Sequence, residues 1–275
     1  ATISDTDMET LGTIAVDAVF NNYTITVDDP IVIASELENL VGLTDGTITV
    51  NSNLLTGTLA APAAALSSVL GSPVISGLSD IDISSTDDDN TVDEVNAISD
   101  LTTGVVSATI FANGVDTSEN TIGNLDGITG TGNSYTITVV DESIDAAGLS
   151  ALNAKTIGLI TVEATNITGP LSDVKDAYDA FGNGEIDGLG NETVTLTDDG
   201  TISASVLNDV NALTTGVINV STVTRIRGTL DEVVVTYSDS NIAGVITGLT
   251  DEDVTITNTG SVSADDLNTI NSINK

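Results

Sequence analysis

The sequence predicts a mixed α/β repeat solenoid, with short parallel strands and short helices in about ten coils of roughly 29 residues. One observation is a helix-like segment that returns from one end of the chain to the other. The second is a set of short alternating strands, rich in Val, Ile and Thr and separated by Gly, Asp and Asn turns. A parallel β-helix is the alternative that the same strands allow.

The helix-like segment is clearest at residues 201–211, TISASVLNDVN, where an extended entry and a Ser cap precede Val206, Leu207 and Val210. Related segments stand at residues 2–11, 33–43, 91–101, 144–154 and 261–271. Each would form only two or three helical turns, so we expect packing rather than local propensity to stabilise them.

An apolar anchor residue in each helical segment recurs every 27 to 30 residues. The ten anchors are Met8, Leu37, Leu66, Val95, Ile122, Leu149, Tyr178, Leu207, Tyr237 and Leu267. A period of this size is typical of proteins in which one repeat cannot bury its own apolar face and neighbouring repeats close the core. The sequence therefore predicts one elongated, open-ended body over residues 1–275.

The strands follow the same order along the chain. YTITV (23–27), TITV (47–50), YTITV (135–139), VTLT (194–197) and VTIT (254–257) alternate polar and apolar residues. Glycines after helical segments, at 46, 104 and 216, are expected in the left-handed conformation that ends helices. Residues 111–133 match the repeat least and are expected to form an irregular loop.

Composition restricts the function. The chain has 41 acidic residues against five Lys and Arg, a net charge of −36. This charge all but excludes nucleic acid as a partner and disfavours anionic membranes. It favours a saline or calcium-bearing surrounding that screens it; the alternative is that the acidity keeps an apolar β-rich chain soluble. No apolar run is long enough to span a membrane, and there is no cysteine.

The sequence predicts a protein that is not an enzyme. It has no His and no Cys, and it lacks the nucleophile elbow and the phosphate- and dinucleotide-binding loops. Its carboxylates are too numerous to single out a catalytic pair. A polysaccharide-active enzyme of the β-helix kind is the remaining catalytic alternative.

Acidic turns give the candidate metal site. An Asp stands eight residues before four of the anchors, and a second acid adjoins most of these positions. The candidate calcium ligands are Asp28, Asp29, Asp87, Asp88, Asp141, Asp198 and Asp199. Stacked coils would align these carboxylates along one edge, and calcium accepts six to eight oxygen ligands. The alternative is that each Asp makes the turn before a helix. Thr-x-Thr strand faces raise a further alternative, ice binding.

The first and last helical segments are versions of one element, so the chain starts and stops at the same phase of the repeat. Uncapped repeats present strand edges on which another chain can pair. We therefore expect either a piece of a longer repetitive protein or subunits that stack head to tail.

Residues 196–228, LTDDGTISASVLNDVNALTTGVINVSTVTRIRG, and residues 188–198, GLGNETVTLTD, resemble the repeat units of giant cell-surface proteins of marine picocyanobacteria. The resemblance implies a secreted or cell-surface structural role without catalytic residues. Together these features predict an extracellular subunit or segment of a surface layer, fibre or filament. The expected partners are further copies of the chain or other surface components. The alternative is a calcium-dependent adhesin or ligand-binding module.

Overall fold

A computed structural model describes residues 2–3, 5–14, 22–59, 65–110, 121–241 and 245–274. The described residues form a mixed α/β protein in which paired strands run parallel in several sheets, and these sheets do not close into a barrel. This confirms the predicted class of secondary structure and the parallel pairing. By chain contacts the molecule divides into two compact units. The prediction of one elongated body concerns the overall shape and stays a prediction.

The first unit comprises residues 1–120, 127–138 and 155–159. Its helices are α1 (Met8–Leu11), α2 (Ala34–Val41), α3 (Ala65–Leu70) and α4 (Val92–Ser99). Its strands are β1 (Ile25–Val27), β2 (Ile31–Ile33), β3 (Ile48–Val50), β4 (Leu54–Gly57), β5 (Ile75–Ser76), β6 (Asp82–Ser85), β7 (Val106–Ile110) and β8 (Ser134–Val139). The strands pair in the orders β1-β3-β5 and β2-β4-β6-β7-β8.

The second unit comprises residues 121–126, 139–154 and 160–275. Its helices are α5 (Ile122–Leu125), α6 (Ala146–Asn153), α7 (Leu171–Gly182), α8 (Ala204–Leu213), α9 (Leu230–Asn241) and α10 (Ala264–Ile273). Its strands are β9 (Ser143–Asp145), β10 (Ile160–Val162), β11 (Asn166–Gly169), β12 (Ile186–Asp187), β13 (Thr193–Leu196), β14 (Thr201–Ser203), β15 (Ile218–Asn219), β16 (Arg225–Gly228), β17 (Ile246–Thr247) and β18 (Asp253–Ile256).

Strands of the second unit pair in the orders β9-β11-β13-β15-β17 and β14-β16-β18, and β10 pairs with β12. The register keeps residues of one kind together: Ile202 lies beside Ile226, which lies beside Val254. Helices that follow one another along the chain contact each other, as α6 does α7 and α8 does α9. The chain thus passes through one helix between any two paired strands of this unit, the crossover that parallel pairing requires.

The core is aliphatic and collects the predicted anchors. Eight of them are buried: Met8, Leu37, Leu66, Val95, Leu149, Tyr178, Leu207 and Tyr237. Ile122 is only half-buried, and Leu267 is 39% exposed although it occupies the same position of its helix as Leu207. Alternation places Val, Ile and Leu inward and Thr, Ser and Asn outward on most strands.

The glycines expected to end helices act differently. Gly46, Gly104 and Gly216 are not among the glycines with positive φ, so the predicted left-handed termination is wrong. Most helices of known cap geometry end instead in a right-handed residue such as Gly42 or Asp100. Positive φ occurs at Gly77, Gly188 and Gly248, each of which directly follows a strand: β5, β12 and β17 respectively.

Of the segment predicted to be an irregular loop, residues 111–120 lie outside the described residues. The remainder contains the short helix α5 and a turn that leads into β8. None of the described helices combines the length and the hydropathy that a membrane-spanning helix needs.

Candidate functional site

The acidic turns cap helices of the preceding segment. Asp29 Oδ2 accepts a hydrogen bond from the backbone N–H of Met8, the first residue of α1, at 2.8 Å. Asp141 does the same for Ile122 of α5 at 2.7 Å, and Asp198 for Leu171 of α7 at 2.8 Å. A carboxylate at this place satisfies an N–H that the helix cannot bond itself and lies at the positive end of the helix dipole.

Two further residues extend this set. Asp87 Oδ2 accepts from the N–H of Leu59, which lies two residues after the end of β4, at 2.6 Å. Asn258 Oδ1 accepts from the N–H of Leu230, the first residue of α9, at 2.7 Å. Sequence analysis missed Asn258 because it searched for acids, yet an amide oxygen accepts this bond as well as a carboxylate does.

Several other helices are capped from within their own segment, whereas α2 has no side-chain cap. Ser203 caps α8 through the N–H of Val206, and Ser263 caps α10 through the N–H of Asp266. Thr91 and Glu94 form a complete capping box at α4. Capping from the following segment and capping from within a segment therefore both occur. Helices α1 and α9 combine them, since Asp7 also caps α1 through Thr10, and Thr229 with Glu232 caps α9.

The remaining predicted ligands do not join these caps. Asp28, Asp88 and Asp199 are exposed, and Asp28 accepts a bond from the Asn51 amide at 2.7 Å. All seven candidate ligands belong to the described residues, and among those residues no group of three or more acidic side chains is placed to hold a metal ion. Four of the seven acids therefore bond backbone N–H groups of the preceding segment, and the turn and calcium alternatives both stay predictions.

A Thr-x-Gly turn fixes neighbouring segments to each other. Thr44 Oγ1 accepts from the N–H groups of Tyr23 and Gly46 and donates to the carbonyl of Tyr23. The same buried arrangement recurs around Thr156, and in part around Thr102 and Thr214. The glycine is needed for space, because a Cβ at Gly46 would lie 2.0 Å from the Tyr23 oxygen.

Two buried carboxylates occupy equivalent turns in the second unit. Glu192 is 2% exposed and accepts N–H bonds from Gly190 at 2.8 Å and Asn191 at 3.0 Å. Its other oxygen accepts the hydroxyl of Tyr178, which is buried in α7. Burial, together with this bond to Glu192, raises the pKa of Tyr178, so the phenol stays neutral and donates.

Glu252 repeats the arrangement sixty residues further along, since it accepts the Tyr237 hydroxyl and the N–H of Thr250. It is 4% exposed. Each glutamate bonds the N–H groups of its own turn and a tyrosine hydroxyl of a helix, so each pair fixes a turn against that helix.

Both arginines lie on β16, and their side chains are on its exposed face. Arg225 on β16 pairs with Asp253 on β18 at 2.8 Å, and both side chains are largely exposed. Thr255 lies beside Arg227 in the register. Exposed pairs of this kind contribute little stability, and their place in a cross-strand register indicates charge balance within the sheet.

No family model, curated protein sequence or solved structure matches the chain. The fold and the candidate site therefore define the class of this protein only as mixed α/β with parallel sheets. Its recurring contacts are the helix caps and Thr-x-Gly turns that join successive segments.

Proposed function

We propose that this protein is an extracellular structural protein, a subunit or segment of a surface layer, fibre or filament that joins other repeat chains end to end. The proposal includes the finer fold, a repeat solenoid, and a secreted or cell-surface location. The resemblance of residues 188–228 to repeat units of picocyanobacterial surface proteins and the net charge of −36, which suits a saline surrounding, support it.

Contacts between successive segments support the repeat part of the proposal. Helix N-termini are capped from the following segment, and Thr-x-Gly turns bond the preceding one. A segment built this way is complete only when a neighbour is present, which is the energetic character of repeat proteins. Such a molecule offers surfaces on which further segments can add.

The observation that carries the proposal is the exposure of the last repeat segment. Leu267 and Val262 are each 39% exposed, whereas their counterparts Leu207 and Ile202 are 0% and 4% exposed. The outer edge of β18 also has no strand partner among the described residues. An apolar surface next to an unpaired parallel strand is the condition for addition of a further repeat segment, from the same chain or from another.

Electron microscopy and sedimentation of the purified chain test the proposal. At about 0.5 M salt, where screening is strong, we expect the sedimentation coefficient to rise with protein concentration and fibres or short linear oligomers to be visible. Uniform single chains at every concentration would contradict self-assembly.

A further inference from the structure

The strands of the second unit lie side by side in the order in which the chain makes them, β9-β11-β13-β15-β17 and β14-β16-β18. Each has two to four residues. Paired residues are 23 to 28 positions apart in sequence, so each strand is bonded to the adjacent segments. No described strand at the beginning of this unit pairs with one at its end.

The first unit has the same order. Its described strands follow one another as β1-β3-β5 and β2-β4-β6-β7-β8, and paired residues are again 23 to 28 positions apart. Helices of successive segments contact each other beside these strands, as α2 does α3. The interface between two segments therefore consists of a few short strand pairings and one contact between helices.

A side chain next to a buried anchor adds hydrogen bonds across one of these interfaces. Asn208 follows the anchor Leu207 in α8. Its side-chain oxygen accepts the hydroxyl of Thr236 at 2.7 Å, and its amide group donates to the carbonyl of Glu232 at 2.9 Å. Thr236 is 0% exposed, and it belongs to α9 of the next segment. We call Asn208 and Thr236 the α8–α9 clamp.

Comparable bonds occur in the first unit, again from the residue that follows an anchor. Asn96 in α4 donates to the carbonyl of Gly127 at 2.9 Å and accepts from the N–H of Thr129 at 2.8 Å. Glu38 in α2 accepts the hydroxyl of Ser68 in α3 at 2.8 Å. Polar side chains at one position of the helix therefore join neighbouring segments in both units.

This strand order determines how each unit yields when the chain is pulled from its two ends. Hydrogen bonds between parallel strands point from one segment to the next. In a domain whose first and last strands pair, the bonds of that pair must all break before the chain can lengthen. Here each described strand pairs only with its neighbours along the chain, so the load reaches one interface after another.

We propose that this protein is a mechanically extensible element, which releases its segments one at a time under tension and refolds each segment on the neighbour that stays folded. The inference goes beyond the proposed structural role, since it concerns a single chain and holds whether or not copies assemble. Refolding is favoured because a folded neighbour already presents the strand and the helix surface against which the next segment packs.

The register of the strands gives the size of each step. Paired positions of successive segments are separated by 23 to 28 residues. Release of one segment should therefore add about 80–100 Å of extended chain. Release of a whole unit in one event would add several times that length, so the two modes of extension are easily told apart.

The test is optical trapping of the full chain in about 0.5 M salt, which screens its charge. Because the chain has no cysteine, one cysteine added at each end attaches a handle at that place only. We expect repeated extensions of one segment each, which reverse when the force is lowered. Asn208→Ala removes both bonds of the α8–α9 clamp, so at constant force one of these extensions should occur about tenfold faster. Asn271→Ala, at an exposed position of α10, is the matched control and should change none.

The wild-type chain alone decides the main point. Extensions of one segment each confirm the proposal, whereas release of each unit in a single event overturns it, whether or not copies assemble. Equal rates for Asn208→Ala and Asn271→Ala would keep stepwise release but overturn the role of the clamp. Circular dichroism checks that the variants are folded. If Asn208→Ala is not, Thr236→Val takes its place, because it removes one bond of the clamp and keeps the shape of the side chain.

Discussion

Three buried tyrosines make the stability of this fold sensitive to alkaline pH. Burial raises the pKa of Tyr135 from its ordinary 10.0 to about 12, and burial with a glutamate partner raises that of Tyr178 and of Tyr237. A raised pKa means that the folded state favours the neutral phenol. Its contribution to stability is complete below pH 10.0 and is lost as the pH rises through the folded-state value.

We therefore expect the free energy of unfolding to fall as the pH rises above 10.0, with tyrosinate appearing together with loss of structure. Ultraviolet absorbance of tyrosinate and circular dichroism, followed in one titration, measure this. Tyr178→Phe removes one titrating group and flattens the alkaline slope, while at neutral pH it costs about 1–3 kcal/mol because Glu192 loses a donor. Tyrosinate formed in a fully folded chain at pH 10.0 would contradict the expectation.

At the Thr-x-Gly turns a single methyl group decides whether two segments can meet. A Cβ at Gly216 would lie 1.8 Å from the carbonyl oxygen of Glu192, whereas a Cβ at Gly200 would have no atom within 4 Å. We expect Gly216→Ala to destabilise the chain by about 3 kcal/mol and Gly200→Ala to change stability little. Urea unfolding of both variants provides the comparison, and equal midpoints would remove the steric argument.

At the scale of the element, the caps connect one helix to the following segment. The Asp198 carboxylate reaches Leu171 across 27 residues of sequence, and Asn258 makes the corresponding bond to Leu230 across 28. A cap of this kind stabilises the helix only when both segments are folded. It therefore couples the folding of neighbouring segments.

Substitution of Asp198 separates a cap from a calcium ligand. Asp198→Ala is expected to cost about 1 kcal/mol, the usual value of an N-cap. Asp198→Asn is expected to stay close to wild type, because Asn258 shows that an amide suffices. Thermal melting with and without millimolar calcium measures both. If calcium stabilises the wild type and Asp198→Asn loses that gain, the residue is a metal ligand and the adhesin alternative gains its first support.

At the scale of the whole molecule, charge is the dominant condition. A net charge of −36 on 275 residues opposes every compact state through self-repulsion. The same charge opposes association of copies. Salt should therefore favour both folding and assembly. Each added increment of salt should have its larger effect below about 1 M, because at that concentration the screening length is already only about 3 Å.

We expect the melting temperature at neutral pH to rise steadily between about 0.01 M and 1 M sodium chloride. The control is the same series near the isoelectric point of about 4.1, where the net charge is small and the salt dependence should nearly vanish. Equal slopes at the two pH values would show that general salt effects, and not repulsion, dominate.

The periodicity of the sequence was sufficient to predict the class of secondary structure and most of the buried anchor residues. Eight of ten anchors are buried because apolar residues at helical spacing, in segments too short to be stable alone, can only be stabilised by packing. Three of the turn acids bond the first N–H group of a helix in the preceding segment, a contact that the sequence pattern did not predict. Which N–H a carboxylate reaches depends on a segment 19 to 28 residues away, and no local pattern carries that information.

The sequence alone determined that parallel strands and short helices alternate along an acidic, aliphatic chain, because both properties are set by local spacing and composition. Only the tertiary structure decided that the glycine of Thr-x-Gly makes room for a neighbouring carbonyl, that Tyr178 pairs with Glu192, and that Gly228 of β16 lies against Ala204. Those facts concern atoms brought together from distant parts of the chain, where close packing and hydrogen bonding act over a few ångströms.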